Sequence, residues 1–107
     1  MWPMIDNSYD NSNLIFPSKQ KAVGKLVAEC RLDPNVLKLI VFGSCVTGNC
    51  NQWSDIDVYF ELENDTSIFP STQDNTVFDK WTNYSVSKDL LDEIKSKGVL
   101  VYDRTSE

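Results

Sequence analysis

Residues 43–57 read GSCVTGNCNQWSDID, directly after the apolar run VLKLIVF. Two groups in that stretch can do chemistry together: Gly43-Ser44 at its start, and the carboxylates of Asp55 and Asp57, which stand one residue apart. On a β-strand, residues i and i+2 face the same way with Cα atoms about 6.5–7 Å apart. Both carboxylates then reach one hard divalent cation, or a pair of them, and such a cation relieves their repulsion. A glycine lets a phosphate approach the backbone closely, while a serine opening a helical turn offers free N–H groups and a hydroxyl. A further carboxylate, Asp79, falls in the run TVFDKW among apolar neighbours, where a lone buried charge is costly without a partner. Taken singly, Asp-x-Asp is most often a solvated strand face and Gly-Ser most often a simple turn. Their fixed distance and the third aspartate are what point to a metal-assisted phosphate site.

These residues need elements to position them. Residues 1–17 are rich in Asn, Ser, Asp and Pro and read as a loosely held arm, with NLIF as a short strand, ahead of one domain at 18–107. SKQKAVGKLVAECR places Ala22, Val23, Leu26, Val27 and Cys30 on one helical face, with Ser18 as N-cap. Val36 to Phe42 reads as a strand covered on both faces. After the Gly-Ser turn, Cys45 to Thr47 make one helical turn, stopped by Gly48 in the left-handed conformation. In DIDVYFEL the residues Asp55, Asp57, Tyr59 and Glu61 point one way, and Ile56, Val58, Phe60 and Leu62 the other. ENDTSIFPSTQDN is a loop, and TVFDKW a third strand with Val77, Asp79 and Trp81 on one face. SVSKDLLDEIKSKG is a helix with Val86, Leu90, Leu91 and Ile94 on its apolar stripe and Gly98 as C-cap, before a last strand VLVYD. The order of helix, three strands, helix and strand predicts an α/β (α+β) fold, a small mixed sheet flanked by helices.

Composition excludes other chemistries. The chain has 107 residues, 41% hydrophobic and 24% charged, enough for one domain. It contains no histidine, which removes Ser-His-Asp and Cys-His catalysis. Cys30, Cys45 and Cys50 form neither an even disulfide set nor a zinc pattern. The net charge of −6 opposes direct nucleic-acid binding, although a bridging divalent cation still admits a nucleotide. No apolar run approaches the roughly 20 residues that span a bilayer, and the N-terminus lacks a secretory pattern, so no membrane contact and a cytoplasmic location are expected. Trp53, beside the proposed site, reads as packing ahead of base stacking.

Gly43-Ser44, ten intervening residues and Asp55-Ile56-Asp57 resemble the signature of the minimal nucleotidyltransferases, stand-alone members of the DNA polymerase β-like superfamily. The likeness extends through LIVFGS, SDIDVYFEL, VFDKW and LLDEIKSKGVLVYD, roughly residues 18–103. It implies the polymerase β-like nucleotidyltransferase fold and transfer of a nucleoside monophosphate, with AMP from ATP favoured, to a hydroxyl. It implies further that Gly43 and Ser44 hold the triphosphate, and that Asp55, Asp57 and Asp79 are catalytic residues ligating Mg²⁺ in a two-metal site. By the same resemblance, the acceptor lies on a HEPN-type toxin partner that this chain silences as its antitoxin. Nucleotidylation of a small molecule such as an antibiotic, and an inactive binding module, are the alternatives. Many members read GSRARG, with arginines where this chain has Cys45 and Thr47.

Overall fold

The computed structural model describes residues 2–48, 55–66, 68–72 and 76–106. Its helices are α1 (Gln20–Arg31), α2 (Ser44–Thr47) and α3 (Lys88–Lys97), and its strands β1 (Val36–Phe42), β2 (Ile56–Leu62), β3 (Phe78–Thr82) and β4 (Val99–Asp103). The strands form one mixed sheet in the order β3-β2-β1-β4, with β1 antiparallel to both β2 and β4, and β3 parallel to β2. This is the α+β arrangement that the alternation of patterns predicts. Among the described residues, no helix is long and apolar enough to cross a membrane.

Strand β1 is apolar on both faces because it lies inside the sheet and both faces are covered. Leu39 and Val41 belong to the larger core, with Ile56, Val58, Phe60 and Leu62 of β2 and the α1 residues Val23, Leu26, Val27 and Cys30. Phe42 belongs to a smaller core with Tyr59 and Ile94, flanked by Ile40, Trp81, Val86, Leu90 and Leu91. Helix α3 therefore roofs the face that carries Asp57, and its stripe is the one the spacing predicts. Ser87 caps it, accepting a hydrogen bond from the Leu90 amide at 3.2 Å. The rings of Phe42 and Trp81 meet edge to face at 5.5 Å, a geometry that aromatic quadrupoles favour.

Several boundaries differ from the sequence expectation. Helix α1 begins at Gln20 without a side-chain cap, because Pro17–Lys19 form a 3-10 turn first; Pro17, with its fixed φ, starts that turn instead of Ser18 capping the helix. NLIF is not a strand. Asn11 takes a left-handed conformation at φ 63, and the Leu14 and Ile15 amides bond back to the Asn11 and Ser12 carbonyls, closing a 3-10 turn that buries Ile15. The arm is also not loose, since Tyr9 and Ile15 enter the larger core. Gly98 is the C-cap of α3, as the pattern predicts, its amide donating to the Ile94 carbonyl, but its backbone is extended, at φ −72 and ψ 160. Its glycine is required by space: a Cβ there would strike the Ile94 carbonyl and the Cγ2 of Ile40.

Crowding at that helix-to-strand junction predicts that Gly98→Ala destabilises the fold by about 1–3 kcal/mol, the range of overpacking in a close-packed interior. Urea unfolding should show a lower midpoint with an unchanged m-value; an unchanged midpoint would mean the junction has room.

Candidate active site

The pairing registers bring the predicted residues to one end of the sheet. In the antiparallel β1–β2 pair, Phe42 lies opposite Asp57; in the parallel β2–β3 pair, Asp57 lies beside Asp79. The C-terminal end of β1 and the N-terminal ends of β2 and β3 thus converge. Gly43 follows Phe42 and adopts φ 78, ψ −149, a region that is essentially open to glycine alone. A Cβ on Gly43 would collide with the Asp57 carboxylate oxygen, with the carboxyl carbon at 3.3 Å. The glycine therefore permits both the backbone turn and the approach of Asp57 to it. Ser44 opens α2, half-buried, and Gly48 ends it in the left-handed conformation, at φ 90, as the pattern predicts.

Asp57 is only partly exposed, and burial beside the α3-covered core is the largest influence raising its pKa above the ordinary carboxylate range. The charge of Asp79, a side-chain hydrogen bond between the two, and the charge of Asp55 raise it further. Like charges this close repel, and a divalent cation between them would relieve the repulsion. Asp79 itself is exposed, contrary to its expected apolar surroundings, because β3 is an edge strand of the sheet. Asp55, also exposed, precedes β2 and acts on Asp57 through its charge. Among the described residues, no three carboxylate, thiol or imidazole groups close around a metal position. A contacting pair with a third carboxylate nearby still fits Mg²⁺, which takes one or two protein carboxylates and completes its shell from water and substrate phosphate.

Buried Cys45 supports this edge. Its thiol donates to the Asp55 carbonyl at 3.6 Å, tying α2 to the residue that leads into β2. Its own carbonyl accepts from the Phe16 amide at 2.9 Å. Gln20 and Phe16 are supporting residues that the sequence reading missed. The available signal was a glutamine on the apolar stripe of α1, one turn before Val23 and Gly24; Gln20 is fully buried. Cys50 and Trp53 lie outside the described residues.

A family model described as nucleotidyltransferase domain matches residues 23–104. Among solved structures, a crystal structure of a Sulfolobus solfataricus protein assigned to the nucleotidyltransferases is similar, with a TM-score of 0.54 and 22% identity over 79% of this chain and 80% of that one. That likeness shows a shared fold. No curated protein matches the sequence significantly.

The electrostatics predict a gain from removing charge. With its folded pKa above the unfolded one, Asp57 makes stability fall as pH rises from the ordinary carboxylate range through the raised value. Asp57→Asn should therefore raise the Tm of the metal-free protein at pH 7 by about 2–5 °C, corresponding to roughly 0.5–1 kcal/mol for a domain of this size. Thermal melts should show the gain vanishing toward pH 4; a variant less stable than wild type at pH 7 would refute the repulsion. Gly43→Ala carries both a forbidden φ and the carboxylate collision, so a loss of about 2–4 kcal/mol is expected by denaturant titration. The double variant with Asp57→Ala should recover part of that loss, and no recovery would remove the Gly43–Asp57 contact from the account.

Proposed function

The chain belongs to the nucleotidyltransferase domain family, and from that premise we propose that it transfers AMP from ATP, with Mg²⁺, to a hydroxyl on a partner protein. The observation that supports this most is the alignment of Gly43, Asp57 and Asp79 across three neighbouring strands, with Asp57 held against like charge. Asp57 and Asp79, with Asp55 beside them, would hold the cation, which supplies charge neutralisation at the triphosphate and lowers the pKa of the attacking hydroxyl. Gly43 makes the turn that presents Ser44 and lets Asp57 close on it, and the Ser44 hydroxyl would donate to a phosphate oxygen. Asp79, exposed at the sheet edge, would hold the cation that acts on the acceptor hydroxyl, or would instead take the proton itself as general base. The acceptor oxygen attacks the α-phosphorus, the bond to the β-phosphate bridging oxygen breaks, and pyrophosphate leaves. Positioning and charge stabilisation account for the rate of such a displacement.

We assign the acceptor to a HEPN-type toxin, following the minimal nucleotidyltransferase resemblance, and place the pair in the cytoplasm.

Incubation of the protein with α-³²P-labelled ATP and Mg²⁺ tests this. Label should appear on a polypeptide only when the product of an adjacent toxin gene is added. Asp57→Asn should lower the labelling rate at least 100-fold, as loss of a metal ligand does. Asp79→Asn should retain nucleotide binding by calorimetry and lose transfer. Label on a small molecule would replace the protein acceptor with a soluble one, and no label with any nucleoside triphosphate would overturn the transfer reading.

A further inference from the structure

We propose that the N-terminal arm is a working part of the nucleotide site, with Phe16, locked by Gln20, as the positioning residue for α2. The inference rests on the reading of Gly43-Ser44 as the phosphate turn. A four-residue helix cannot hold its own orientation, because nucleation fixes several dihedrals for one hydrogen bond. Its turn is closed by the Val46 amide on the Gly43 carbonyl at 3.1 Å, so its direction must be set from outside.

Beside the Cys45 thiol on the Asp55 carbonyl, the support from the arm is one peptide group. The carbonyl of Ile15 accepts from Nε2 of Gln20 at 3.1 Å, and the N–H of Phe16, on the same planar unit, donates to the Cys45 carbonyl at 2.9 Å. A trans peptide points its C=O and N–H in opposite directions. That unit therefore bridges α1 on one side and α2 on the other.

Gln20 is in turn saturated. Its Oε1 accepts from the amides of Ile5 at 2.6 Å and Asp6 at 3.2 Å, and its Nε2 also donates to the Pro3 carbonyl at 2.8 Å. Four bonds are all that an amide side chain makes, and here every one holds the arm. The Tyr9 hydroxyl adds a bond to the Gln20 carbonyl at 2.6 Å. The buried amide thus closes the arm from Pro3 to Ile15 into one unit, and that unit sets where Cys45, and hence Ser44, sits. Burial makes such a network stiff when satisfied and unfavourable when broken.

Phe16→Pro isolates the link. Phe16 sits at φ −52, within the proline range, and Ile15 at φ −105, ψ 141 already has the conformation favoured before proline. The substitution then deletes the N–H with the backbone course kept, and Phe16→Leu controls for the ring that packs on Trp2 at 5.9 Å.

On the 107-residue chain at low temperature, hydrogen exchange at the Val46 amide and calorimetric binding of Mg²⁺ with a nonhydrolysable ATP analogue are measured together. Relative to Phe16→Leu, Phe16→Pro should speed exchange and weaken binding by about fivefold each, the factor one hydrogen bond converts to. Val36→Ala, which lowers stability from the buried far end of β1, should move neither readout. Gln20→Met should reproduce the effect, and it carries the comparison if Phe16→Pro does not fold. Equal exchange and equal affinity across these variants would overturn the proposal. If the wild type binds no nucleotide, the phosphate-turn reading fails, and the Val46 exchange rate alone then decides whether the arm positions α2.

Discussion

The register between β2 and its two neighbours is the constraint on which the rest depends. Ile56, Val58, Phe60 and Leu62 are all buried against the α1 side, and each contributes roughly 1.5–3 kcal/mol by leaving water. A one-residue slip would turn all four toward the other face, a loss far larger than the like-charge contact between Asp57 and Asp79 costs. Hydrophobic alternation thus holds Asp57 opposite Phe42 and beside Asp79 although the carboxylates repel. The site is placed by the core and does not place itself.

Two supports then refine the edge from opposite sides of the sheet. On one side, α3 covers Phe42, Tyr59 and Trp81, which withdraws solvent from Asp57 and disfavours its charge. On the other, α1 and the arm reach Cys45, whose thiol and carbonyl bind the start of β2 and the arm respectively. The first support tunes the electrostatics and the second sets the backbone. Neither uses a residue that carries chemistry.

Legibility in the sequence followed the range of the interactions. The strands, α2 with its Gly48 stop, and the stripe of α3 were readable because local periodicity and turn chemistry decide them. The conjunction of Gly43 with Asp57 and Asp79 was readable because adjacent strands in sequence tend to lie side by side. The exposure of Asp79 was not, since the edge position of β3 comes from sheet order, which its own neighbours do not encode. The arm was misread for a related reason. Its polar composition describes its solvent side, whereas Tyr9, Ile15 and the saturated amide of Gln20 are long-range contacts invisible to a local window. The same holds for Gly98, whose need for a missing Cβ arises from Ile40 on another strand.

Among the described residues, the backbone departs furthest from the common regions at Gly43. Besides Gly43, positive φ occurs among the described residues at Gly48 and Asn11, both in the left-handed region that these residue types enter readily. Gly43 alone takes a conformation reserved for glycine, and the carboxylate it lies against has its ionised form disfavoured by burial and like charge. Either feature alone has a structural explanation, since glycine turns and coupled aspartates occur in many folds. Their contact does not follow from folding, because the core would be equally well buried with an uncharged residue at position 57. A carboxylate whose charge is disfavoured, held against a backbone turn that glycine alone takes, is an arrangement that a cation would favour, and departures from local consistency of this kind concentrate at functional sites. The stability that tolerates the like charge comes from the larger core on the α1 side, so the fold is held away from the edge that carries it.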